Sequence, residues 1–80
     1  MNTLYTVVLS KLDSSLVEFE TECYDNITKE IERFGNNIKG ITVKVTTDKG
    51  IIFQQSTDLD DIDRVLALAY FVSEKSTDND

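Results

Sequence analysis

Eighty residues, 40% of them hydrophobic and 29% charged, describe one globular domain with a modest core, because a chain this short buries only about 60 to 65% of its unfolded surface and has no room for a large enclosed substrate cavity. Eight basic against fifteen acidic residues give a net charge of -7, so the chain is expected to repel bare nucleic acid and anionic membrane surfaces and to take basic partners. One cysteine, Cys23, excludes an internal disulfide, and the lack of any histidine removes the commonest general base, the commonest zinc ligand and the partner that triad nucleophiles need.

The chain opens on "TLYTVVLSKL", rich in β-branched and apolar residues, followed by "DSS" as a turn and by "LVEFETECY", which alternates apolar and acidic positions at the strand period of two. These two segments read as a hairpin. "DNITKEIERFG" is a helix: Asp25 or Asn26 can cap it, Ile27, Ile31 and Phe34 make one apolar stripe, and Gly35 is placed to end it. The "NIT" inside it matches a glycosylation acceptor pattern but reads more simply as part of the cap. A loop, "NNIKG", leads to "ITVKVTT", a half-buried strand, then to the turn "DKG" and a returning strand, "IIFQQST". "DLDDIDRVLALAYFVSEK" is a second helix with Thr57 or Asp58 as its cap and Asp60, Asp61 and Asp63 crowded into its first turn.

Two ββα halves are thus expected, and an offset of 35 residues aligns Asp13 with Asp48, Asp25 with Asp60 and Ile27 with Ile62. Turn and cap positions attract Asp in any chain, so convergence explains these matches nearly as well as duplication. The expected architecture is α+β, a two-layer ββαββα arrangement with a four-stranded, mainly antiparallel sheet and two helices on one face. Residues 1–75 form the expected domain, and 76–80 an acidic, disordered tail. No basic and apolar leader is visible, and "VLALAYFV" is too short to span a bilayer, so no membrane association and a cytoplasmic location, in the producing or host cell, are expected.

Three acidic clusters stand out. Glu18, Glu20 and Glu22 project from one face of a strand about 6.8 Å apart, an unusual use of a residue with poor β-propensity whose like charges repel. Asp58, Asp60, Asp61 and Asp63 form the second cluster, and Glu74, Asp78 and Asp80 the third. Taking Asp58 as the first position of an EF-type calcium loop puts Ile62 at position 5 and Ala69 at position 12, so the loop fails as a metal site, and no metal or other cofactor is expected. Cys23, among Glu22, Tyr24 and Asp25, has surroundings that disfavour a thiolate and is expected in the core. Lys39, Lys44 and Lys49 lack the arginines and interleaved aromatics of a nucleic-acid surface. With no Gly-rich phosphate loop either, no enzymatic activity and no catalytic residue are expected.

In size and acidity the chain is similar to the small proteins that bacterial viruses and mobile elements make to block host nucleic-acid enzymes, a likeness of composition carried by no motif. The functional expectation is a non-enzymatic, nucleic-acid-mimicking inhibitor whose acids (Glu18, Glu20, Glu22, Asp58, Asp60, Asp61 and Asp63), with Tyr24 as an anchor, meet the basic surface of a nucleic-acid-binding protein. The alternative is a homodimeric structural or regulatory domain. In that case Leu68, Tyr70 and Phe71, which a single packed stripe leaves over, form the interface and the acids keep the protein soluble.

Overall fold

The computed structural model describes residues 3–77. Its elements are β1 (Leu4–Lys11), β2 (Leu16–Thr21), α1 (Tyr24–Phe34), β3 (Ile38–Thr47), β4 (Gly50–Asp58) and α2 (Ile62–Thr77), with single 3-10 turns at Gly35–Asn37 and Leu59–Asp61. The sheet runs β2-β1-β3-β4 with every neighbouring pair antiparallel. The fold is α+β in ββαββα order, as the alternating periodicities predict. Each half gives its first strand to the centre of the sheet and its second to an edge.

The period-two pattern decides which face is covered. Tyr5, Val7 and Leu9 of β1 and Ile41, Val43 and Val45 of β3 are all buried on one side, and the same cluster takes Ile27 from α1 and Ile62, Val65, Leu66 and Ala69 from α2. Both helices therefore cover one face. Burial of each such Val, Leu or Ile contributes about 1.5 to 3 kcal/mol, which is why the central strands carry the branched residues. The edge strands add only the half-buried Val17, Phe19, Ile52 and Phe53.

The turns follow from local chemistry. Asp13 Oδ1 accepts hydrogen bonds from Ser15 N at 2.9 Å and Ser15 Oγ at 2.6 Å, closing the β1–β2 hairpin around Ser14 at φ 74°. Those two bonds hold the Asp13 carboxyl below its ordinary value. Gly35, at φ 58°, ends α1 with its N–H on Ile31 O.

Several boundaries differ from the sequence reading. The "NNIKG" stretch is only partly a loop, because β3 begins at Ile38, whose side chain is fully buried. Neither Asp25 nor Asn26 caps α1; the cap position is Cys23, with no side-chain bond. Thr21 acts instead from outside the helix: its Oγ1 accepts from Cys23 N at 3.1 Å and from Asn26 Nδ2 at 2.9 Å. Cys23 is exposed rather than part of the core, since the chain has already left the sheet when it reaches that residue. Asp58 likewise makes no capping bond to the 3-10 turn that precedes α2. The second helix runs to Thr77, and residues 78–80, with Asp78 and Asp80 of the third acidic cluster and most of the expected tail, lie outside the described residues.

Candidate functional site

The acidic strand keeps two of its three carboxylates in register. Glu18 and Glu20 face outward from β2, opposite Val8 and Thr6 of β1, on the uncovered side of the sheet. Strand β2 ends at Thr21, so Glu22 leaves the row. On the same face Thr6 also pairs with Lys44, which puts this lysine two strands from Glu20, about 9.6 Å across the sheet. Thr42 and Ser56 join hydroxyls at 2.7 Å further along, and Gln54 completes a mostly polar surface.

The second cluster lies across the full width of the sheet. Asp58 ends β4, the opposite edge strand, and pairs with Gly40. Asp60 and Asp61 follow in the 3-10 turn, where Asp61 Oδ2 binds Arg64 at 3.0 Å. The seven expected site acids therefore do not form one continuous sheet of charge. Glu18 and Glu20 occupy one edge, and Asp58, Asp60 and Asp61 the other.

Glu22 meets two other acids elsewhere. Where β1 starts and β2 finishes, Tyr5, Tyr24 and Tyr70 bound an open cleft of about 370 Å³, lined also by Glu22, Asp25 and Glu74. Three separate elements bring these residues together. The Tyr5 and Tyr24 rings meet edge to face at 5.9 Å, and those of Tyr24 and Tyr70 are tilted at 4.7 Å. Ser73 Oγ donates its one proton to Tyr70 O at 2.7 Å, so the Tyr5 hydroxyl, 2.6 Å from the same oxygen, must be the donor of the second bond.

Burial raises the Tyr5 hydroxyl above the ordinary tyrosine value against the lowering effect of Ser73, and the Glu74 charge adds to the rise. Burial raises Tyr24 too, with Asp63 and Asp25 contributing. No three His, Cys, Asp or Glu side chains among the described residues stand close enough to hold one metal ion.

On α2, Leu68 and Phe71 are 38% and 57% exposed, whereas Tyr70, 44% exposed, packs against Tyr24 at the cleft. Lys75 Nζ lies 5.5 Å over the Phe71 ring. A second groove, roughly 440 Å³, runs beside the free edge of β2 between Phe19, Asn26 and Lys29. Among the described residues no helix is long and apolar enough to cross a membrane.

Sequence reasoning missed Tyr5, Ser73 and Asp25 as members of a site. Tyr5 reads as one more core position of a strand, and no periodicity links residues 5, 24 and 70. Comparison with protein-family models, with curated proteins and with solved structures finds no match to this chain.

Proposed function

We propose that this is a small acidic binding protein, not an enzyme, that occupies the basic nucleic-acid-binding surface of another protein and so blocks it. The supporting observation is uncompensated charge. Among the described residues only Glu30 and Asp61 stand in ion pairs, with Arg33 at 3.7 Å and Arg64 at 3.0 Å. Both pairs are accessible to solvent, Glu30 being half-buried, and of the kind that contributes less than about 1 kcal/mol. Carboxylates left without cations attract a basic surface over about a Debye length, speed its approach, and have counter-charges to gain when it docks.

Glu18 and Glu20, about 6.8 Å apart on a free edge, fall at alternate phosphate positions of a strand whose charges repeat about every 3.4 Å. They act as a short stretch of backbone. Asp58, Asp60 and Asp61 on the opposite edge extend the field around the molecule, and Tyr24 belongs to the aromatic cleft.

The dimer reading draws support from the exposed Leu68 and Phe71. Against it, a two-fold antiparallel pairing of α2 that sets Leu68 opposite Phe71 of a second copy also sets Arg64 opposite Lys75, and facing like charges are unfavourable. Sedimentation separates the two: the binder is a monomer in dilute salt, whereas a tight dimer indifferent to salt supports the alternative. The direct test is the double reversal of Glu18 and Glu20 to Lys, which leaves Glu22 of the cleft in place. Binding to a basic nucleic-acid-binding protein recovered by affinity capture weakens through a slower association rate, and an unchanged affinity removes that edge from the interface.

A further inference from the structure

We infer that the cleft between Tyr5, Tyr24 and Tyr70 is a receptor for an arginine side chain of a basic partner protein. This rests on the reading that the partner is basic, and it names the group the partner inserts. The walls are aromatic and the rim is anionic: the Tyr24 and Tyr70 rings, with the buried Tyr5 ring behind them, meet Glu22, Asp25 and Glu74, and among the described residues no lysine or arginine lines the space. An aromatic face attracts a cation, more strongly as water is excluded, and carboxylates beside it supply hydrogen-bond acceptors.

The geometry selects the kind of cation. Among the described residues no three carboxylates or thiols converge as a metal ion would need, so the cleft suits a cation that spreads its donors. A guanidinium is planar, stacks on a ring and offers five N–H groups in several directions, whereas an ammonium is a compact, strongly hydrated point. The cleft's floor is also set in part beforehand: the Tyr5 hydroxyl is tied to Ser73 Oγ, which donates to the main-chain oxygen of Tyr70, and the ring contacts hold Tyr24 against both Tyr5 and Tyr70. Little ordering remains to oppose binding. The raised tyrosine hydroxyls fit a site where burial and the charges of Glu74, Asp63 and Asp25 act together.

The test is a nitrogen–proton NMR titration of the whole protein with a short arginine-containing peptide and with the same peptide carrying citrulline, which keeps the shape and loses the charge. The arginine peptide shifts the amides of residues 22–25 and 70–74, and citrulline leaves them unmoved. The exposed, isosteric double substitution Glu22→Gln with Glu74→Gln weakens the arginine peptide about tenfold, and Tyr70→Leu does so by a similar factor, while the rest of the spectrum stays that of the parent. Equal shifts with citrulline, or no shift at millimolar peptide, overturn the inference. Shifts confined to the amides around Glu18 and Glu20 overturn it as well, yet leave the acidic-binder reading standing.

Discussion

Tyr5 is a residue with two employments. Its ring is 4% exposed and belongs to the core, while its hydroxyl donates to Ser73 at the floor of the cleft. Tyr5→Phe keeps the packing and removes the donor, so a loss of about 1 kcal/mol in urea denaturation is expected, with α2 shifting most in amide exchange. The pH dependence has a definite sign. Burial holds the folded-state Tyr5 above its ordinary value of 10.0, so the folded chain prefers the protonated ring more than the unfolded chain does. That preference is fully present below pH 10.0, and its contribution falls away as pH rises through the folded value. Alkaline unfolding measured by tyrosinate absorbance should therefore be steeper for the parent than for Tyr5→Phe; identical profiles would assign the alkaline loss to other groups.

Gly40 shows how the central strands tolerate so little at the scale of an element. A Cβ there meets Thr57 O at 3.0 Å across the β3–β4 ladder, and a backbone oxygen held in a ladder cannot swing away as a side chain can. Gly40→Ala is expected to lower stability by about 1 to 3 kcal/mol despite alanine's smaller unfolded-state entropy. Chemical denaturation reads this directly, and a neutral result would mean that β4 is loosely held. Ile27 is the one fully buried side chain of α1, so Ile27→Ala should cost about 2 to 5 kcal/mol and detach that helix first in hydrogen exchange.

These elements were legible because period two and period 3.6 differ plainly in "ITVKVTT" and "DNITKEIERF". Their ends were not. Ile38 and Cys23 changed places between loop and ordered structure because a boundary depends on what the neighbouring strand can pair with, and that partner is remote in the chain. The acidic row lost Glu22 for the same reason, as alternation continues in the sequence past the point where β1 stops offering partners.

For the whole molecule, charge and shape set the terms. The body measures 43 × 20 × 18 Å, and one nucleic-acid strand of that length carries about 13 charges. Thirteen of the chain's fifteen acids lie in the described residues, so their number matches a strand while their distribution, over both sheet edges, one cleft, the two hairpin turns and α1, does not reproduce a single row. Net negative charge also opposes folding: raising ionic strength from about 0.01 to about 0.15 M shortens the Debye length from about 30 to about 8 Å, and the thermal midpoint should rise with it. A midpoint indifferent to salt would mean that the acids are balanced locally. The total charge was legible in the sequence; its scatter over the surface was not, because strand order alone puts Glu18 and Asp58 on opposite edges.

The most direct measurement is competition. Immobilised protein is used to capture partners from a cell lysate at low salt, and the captured proteins are eluted with duplex or single-stranded nucleic acid and identified. Basic nucleic-acid-binding proteins released by the nucleic acid, and missing from the variant with Glu18 and Glu20 reversed to Lys, are the predicted result. Acidic or apolar partners that nucleic acid does not displace would contradict the account.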